Sequence, residues 1–491
     1  MKGRSSGILL PVFSLPGDYG IGTLGKSARQ FVDFLAEAGQ RIWQILPLVP
    51  SGSGNSPYMS PSAFAGNPLL LDLEALAALE LLTPEELATA RFSNPDRVDY
   101  DWLRQNRYPL LKKAWSRDSD INARGTFLAQ QAAWLPDHAL FCALSRYFGC
   151  PLDVWPDKAA RLREPAALAQ YRAQLADEID FEVFLQYHFF RQWGELRRYA
   201  RARGVAIMGD IPIYVSADSA QVWADPALFQ LDENLTPTHV AGVPPDAFSH
   251  QGQHWGNPLY DWDNQQTALF RWWAGRLKNA ALLYDMVRID HFRGFHTYWS
   301  IPAGAQSAMD GHWERGPGQP LVDFLLAQVP ELALIAEDLG DLDAEAYDFI
   351  LNSGLPGMRV LVYAFDPTDN PYLPHNCPVD SVIYTGTHDT PTFVQWLFSE
   401  ASPQARAYAF DYLRLRLEEG FGWGAVYGAW SAPSRLAIAP LQDILGLGAD
   451  ARVNFPGTMG AENWSWRVRA DALNMEVAQR LRKITQVYRR G

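Results

Sequence analysis

Arg288, Asp290, His291 and Arg293 crowd the end of an otherwise apolar stretch, DMVRIDHFRG, from Asp285 to Gly294. Side chains alternate faces along a strand, so Arg288 and Asp290 share one face while Val287 and Ile289 serve the other. A guanidinium a few ångströms from a carboxylate favours the charged form of that carboxylate. Such a pair can be a structural ion pair or a carboxylate prepared for chemistry, and the rest of the chain has to decide.

Three more short apolar stretches end on ionisable residues. Asp210 closes AIMGD, Glu337 and Asp338 close ALIAED, and His388 with Asp389 closes VIYTGTHD. Stability alone does not explain four such endings, because buried acids cost free energy unless they are paired or hydrogen-bonded. Three chemistries could use the set. The first is a divalent cation held by Asp290, His291, His388 and Asp389; Arg288 counts against it, since its guanidinium competes for the same oxygens. The second is a phosphorylated ligand. GIGTLG (20–25) has dinucleotide-like glycine spacing but begins several residues after the first strand candidate ends at Ser14, and no acid closes the second strand. GSGNSPY (52–58) lacks the lysine of a P-loop, so both segments are expected to supply tight turns and close backbone approach. The third is glycosyl transfer or hydrolysis by a carboxylate pair, one ionised and one protonated. Arg288 is placed to keep Asp290 ionised, neighbouring carboxylates would retain a proton on Glu337, and Asp389 could offset positive charge in the transition state.

These residues can converge only if the elements that carry them do. Eight runs read as strands: 7–14, 42–50, 205–215, 286–290, 332–338, 357–365, 381–389 and 436–445. Helical patterns fall between most of them, for example 27–39 and 271–282, which predicts an α/β fold, a (β/α)8 TIM barrel with its ionic strand ends at the catalytic face. The interval between the second and third strands is long and holds amphipathic stretches at 103–115, 127–148 and 180–202. The expected organisation is a catalytic barrel from 1–74 and 203–491, an inserted, mostly helical subdomain at 75–202, and a long loop at 216–260 over the mouth. The tail after the eighth strand is short and helical, so no C-terminal β-sandwich domain is expected.

A net charge of −13 argues against nucleic acid and anionic membrane as partners. The three cysteines, Cys142, Cys150 and Cys377, are too scattered for a disulfide framework and lack CxxC spacing for zinc. No stretch approaches the length of a membrane span and no cleavable leader is evident, so a cytoplasmic protein without metal or cofactor is expected. Six aromatic residues at the presumed mouth, Tyr58, Phe248, Trp255, Tyr260, Trp299 and Phe365, offer flat apolar faces suited to sugar rings.

At these residues the sequence resembles the 4-α-glucanotransferase family, also called amylomaltase or disproportionating enzyme, of the α-amylase clan. The resemblance runs in order through SLPGDYGIGTLG, GNSPYMSPSAFAGNPLLLDL, GDIPIYVSADSAQVWADP, AGVPPDAFS, WGNPLYDW, VRIDHFRGF, IAEDLG, GLPGMRVL, YTGTHDTPT and RVNFPGT. It implies Asp290 as nucleophile, Glu337 rather than Asp338 as general acid/base, and Asp389 as transition-state stabiliser. It implies that Arg288, His291, His388 and Asp210 line the subsite of the cleaved bond, and that Ser56, Tyr58, Trp255 and Asn454 serve neighbouring glucose sites. The partners implied are maltooligosaccharides and longer α-1,4-glucans as donors, with glucose or a glucan as acceptor. The chain departs from some members at Ala247, where they carry tyrosine. A hydrolase using the same carboxylates, a silent glucan-binding protein and a metal-dependent barrel enzyme remain alternatives at this point.

Overall fold

The computed structural model describes residues 3–245, 250–340, 342–366 and 368–491. Among them lie twelve strands: β1 Ser5–Leu9, β2 Ile42–Gln44, β3 Ala206–Pro212, β4 His239–Val243, β5 Gln253–Pro258, β6 Met286–Asp290, β7 Thr297–Pro302, β8 His312–Arg315, β9 Ala333–Ala336, β10 Gly357–Val360, β11 Ser381–Tyr384 and β12 Leu436–Pro440. Eight of them form a single parallel sheet in the order β10-β11-β12-β1-β2-β3-β6-β9. The two ends of that sheet approach each other, and the Ala336 N–H donates to the Pro356 carbonyl at 3.0 Å across the seam. The result is a nearly closed (β/α)8 barrel, as the eight apolar runs predict.

Alternation along the strands sorts the side chains into two layers. Leu9, Ile42, Met208, Met286, Ile335, Met358, Val382, Tyr384 and Ile438 form one buried cluster inside the barrel. Ile8, Trp43, Ile207, Val287, Ile289, Leu334 and Ile383 pack outward into the larger core under the helices. The inward parity that places Met208 and Met286 also carries Asp210 and Arg288, paired side by side in the β3–β6 register. Two strongly polar residues therefore sit above the apolar plug of the barrel because they lie an even number of residues from its methionines.

Most strands are shorter than their apolar runs. The run from 357 leaves the sheet after Val360 and becomes a 3-10 turn, Leu361–Tyr363, and the run from 436 turns at Pro440 into the helix Leu441–Ile444. Apolarity marks burial, and buried turns share it. The inserted region is helical, but the stretch 127–148 is broken. Helix Ile121–Gln130 ends before a second one, Leu135–Phe148, restarts with Pro136 in its first turn, where the missing N–H is harmless. The helix Ala176–Ala202 serves both the insertion and the barrel. Arg146, on Leu135–Phe148, pairs with Glu182 near the start of that helix, while Arg197 near its end donates to the carbonyls of Ala281, Leu282 and Tyr284 below β6.

Among its described residues the segment 216–260 holds a short helix, Ala220–Ala224, and two strands. It contributes β4 and β5 to a four-stranded antiparallel sheet, order β5-β4-β7-β8, completed by two strands from the connection between β6 and β9. After β12 the described residues 441–491 contain helices and turns but no strand. Among the described residues no helix is long and apolar enough to cross a membrane.

Candidate active site

At the C-terminal ends of the barrel strands, Arg288 occupies the centre of a polar cluster. Its Nη1 lies 2.7 Å from Asp210 Oδ2, its Nη2 2.8 Å from Asp290 Oδ1, and its Nε 3.4 Å from the Met358 sulfur. Both carboxylates push the Arg288 pKa well above its ordinary value although burial opposes them, so the guanidinium is a fixed charge. The same arginine takes one oxygen of each carboxylate and sets a positive charge between them, which disfavours metal binding between Asp210 and Asp290.

From Asp210 a chain of contacts crosses the barrel mouth. The Tyr58 hydroxyl donates to Asp210 Oδ2 at 2.8 Å and also lies 2.8 Å from His388 Nε2. Because the tyrosine proton goes to Asp210, the Nε2–H of His388 is shared between the Tyr58 oxygen and Asp389 Oδ2, the latter at 3.0 Å. Burial works against charging His388, yet the Asp389 carboxylate beside it raises its pKa. Burial likewise raises the Asp389 carboxyl, but His388, the hydrogen bond from Asn454 Nδ2 at 2.7 Å and the more distant Arg288 outweigh it and hold it far below the usual carboxylate range.

Glu337 has a different environment. It stands one residue beyond the last β6–β9 pair, Ile289 with Ala336, and its own N–H donates to the Ile289 carbonyl at 3.0 Å. Asp290 and Glu337 thus leave adjacent strands at adjacent positions, and such strands run about 4.8 Å apart. Backbone N–H groups of His291 and Leu339 donate to the two Glu337 oxygens at 2.7 and 2.9 Å. Burial nevertheless dominates. It lifts the Glu337 carboxyl to about 7, with Asp290 adding to the rise and Arg288 opposing it. Asp338 turns away: it accepts from the Met358 N–H at 2.6 Å and from Arg359 at 3.0 Å, and it packs so closely on Gly357 that a Cβ there would fall 2.2 Å from its Oδ2.

The remaining sequence candidates divide. His291 takes a left-handed backbone conformation, φ 53°, at the turn out of β6, and burial lowers its imidazole to about 4. Trp255 meets His291 edge-on, ring centroids 4.9 Å apart. The Ser56 hydroxyl accepts from the Tyr58 N–H at 3.2 Å and so caps the turn that presents Tyr58. Tyr260 and Phe365 are core residues: the Tyr260 hydroxyl donates to the Ile213 carbonyl, and Phe365 packs against Trp396. Trp299 belongs to the antiparallel sheet, where it faces Trp313 and donates to the Ala308 carbonyl. Phe248 and Ala247 lie outside the described residues.

Two neighbours escape a reading of the residues one by one. Arg452 donates to the Asp389 and Asn454 carbonyls, each at 2.8 Å, and its only sequence signal is its place two residues before Asn454 in RVNFPGT. Trp464 packs on Tyr58 and His388, with centroids at 5.6 and 6.1 Å, and nothing local marks it. Among the described residues, one further group of metal-ligating types, His138, Cys142 and Glu182, meets in the helical insertion. Arg146 already holds Glu182, so a cation would have to displace a guanidinium there as well.

The family model described as 4-alpha-glucanotransferase matches residues 10–473, which is most of the chain. The chain belongs to the 4-alpha-glucanotransferase family. It is 42% identical to the 4-alpha-glucanotransferase of Clostridium butyricum over 98% of this chain and 99% of that one, and 44% identical to that of Thermus thermophilus over 99% of each. The amylomaltase of Streptococcus agalactiae, solved in complex with acarbose, superposes with a TM-score of 0.96 at 40% identity, covering 99% of this chain and 100% of that one. The barrel and its insertion are therefore those of a solved family member.

Proposed function

We propose that this chain is a 4-α-glucanotransferase that moves α-1,4-glucan segments between maltooligosaccharides by a retaining double displacement. Asp290 is the nucleophile, Glu337 the acid/base and Asp389 the carboxylate that stabilises the oxocarbenium-like transition state. The observation that carries this reading is the contrast between the two adjacent carboxyls. Asp290 is anchored through one oxygen to Arg288, which leaves the other free to attack, whereas Glu337 is buried beside it with its proton retained to about pH 7. Retaining enzymes need such a pair roughly 5 Å apart, and origins on neighbouring strands support that spacing.

In the first step Glu337 gives its proton to the leaving glycosidic oxygen as Asp290 bonds to the anomeric carbon. The resulting ester removes the negative charge of Asp290, so the repulsion that helped hold the Glu337 proton disappears and Glu337 becomes a base for the incoming 4-hydroxyl. Asp389, held ionised by His388 and Asn454, faces the positive charge that develops on the ring. Arg288, His291, His388 and Asp210 are proposed to line the subsite of the cleaved bond, and Ser56, Tyr58, Trp255 and Asn454 to serve the flanking glucose units. The full-length match to glucan-transferring relatives supports a glucan acceptor over water, and the cytoplasm is the proposed location.

Incubation with maltotriose tests the reaction class. The expected products are free glucose and a ladder of longer maltooligosaccharides, whereas shorter products alone would identify a hydrolase. The pH dependence follows from Glu337. Because the acid must enter the first step protonated, kcat/KM is expected to fall as pH rises through about 7, approaching a tenfold loss per unit above it. A rate profile flat to pH 9 would rule out Glu337 as the acid.

A further inference from the structure

The segment 385–393, which carries His388 and Asp389, leaves β11 and returns to the short helix Phe393–Gln395. Its two ends meet one fully buried carboxylate. Asp443, on the helix after β12, accepts from Thr385 Oγ1 at 2.5 Å and from the Phe393 N–H at 2.7 Å, one bond to each of its oxygens. Between these ends the chain is knotted by its own hydroxyls: Thr390 Oγ1 accepts from the Thr387 N–H at 2.9 Å, and Thr387 Oγ1 from the Asp389 N–H at 3.2 Å. Gly386 passes so close that a Cβ there would lie 2.8 Å from Thr390 Oγ1 and 3.5 Å from Asp443 Oδ2. Burial pushes the Asp443 carboxyl up to about 6 against both of its hydrogen bonds. An acid held in so apolar a place is unfavourable unless its bonds do something an apolar side chain could not.

We propose that Asp443 is a positioning residue: by clamping both ends of the 385–393 segment it fixes where the Asp389 carboxylate and the His388 ring stand over the barrel. The inference rests on the reading that Asp389 works in the transition state. On that reading a slackened clamp lowers kcat and leaves KM nearly untouched, because the lost interaction is made only in the transition state. A misplacement of about 1 Å is enough for roughly 10²-fold in rate.

The test compares Thr385→Val, Thr385→Ser and Asp443→Asn with the unaltered chain and with Asp389→Asn, measuring kcat and KM on maltotriose together with thermal unfolding. Thr385→Val keeps the shape of threonine and removes the hydroxyl, and it is expected to lower kcat by about tenfold or more with KM within about twofold. Thr385→Ser, which keeps the hydroxyl, should restore kcat, and Asp443→Asn should fall in the same direction as the valine variant. A lower unfolding temperature with kcat of the folded protein unchanged in Thr385→Val would overturn the clamp, and this pair decides the matter even if Asp443→Asn does not fold. Inactive Asp389→Asn beside a fully active Thr385→Val would sink the clamp alone. A fully active Asp389→Asn would remove the reading beneath it.

Discussion

Asp290→Asn is expected to lower the rate of maltotriose disproportionation by at least about 10⁴-fold, equivalent to about 5.5 kcal/mol of transition-state stabilisation. The substitution keeps the shape of the side chain and one polar contact to Arg288, while Arg288 retains its bond to Asp210. The fold should therefore survive, with thermal unfolding close to that of the unaltered protein. The amide cannot form the glucosyl ester, so the loss should appear in kcat on every donor, including one with an activated leaving group. Appreciable turnover of such a donor by Asp290→Asn would transfer the nucleophile's role to another group.

Glu337→Gln separates the two halves of the reaction. On maltotriose a loss of roughly 10³-fold is expected, within the range for removing a general acid. A donor whose leaving group departs without a proton, such as an α-maltosyl fluoride, should recover most of the first step, and the maltosyl-enzyme should then accumulate because no base activates the acceptor. The pH limb near 7 should vanish with it. Asp338→Asn supplies the contrast. That carboxylate is engaged by Arg359 and the Met358 N–H, so its replacement should lower stability and leave the pH limb in place. If Asp338→Asn erased the limb and Glu337→Gln kept it, the assignment of the two neighbours would be reversed.

The choice between those neighbours shows where the sequence stops being legible. Strand parity places Arg288 and Asp290 on one face because β6 is regular through both. It does not choose between Glu337 and Asp338, because both lie beyond the end of β9 at Ala336; Arg359, on the next strand, is what turns Asp338 away. The eight barrel strands are legible because strands covered on both faces read as continuous apolar runs. The sheet of β4, β5, β7 and β8 is not: HWER is largely exposed and QHWGNP carries a glycine at positive φ, so neither alternates cleanly. Asn454 and Arg452 reach Asp389 from beyond β12, and no local pattern announces a partner so distant in the chain.

The chain of contacts from Asp290 through Arg288, Asp210, Tyr58 and His388 to Asp389 runs over the top of the barrel, from β6 to the far side at β11. Each inner member answers to two neighbours, so replacing one of these strands a charge or a donor in a largely buried site. Effects at these positions should accordingly refuse to add, and a double substitution can do less harm than the sum of its parts. For a lineage of such barrels this has a historical meaning. On the proposed mechanism the six positions are expected to change together rather than singly, because one-at-a-time routes to a different set would pass through chains that lose the reaction.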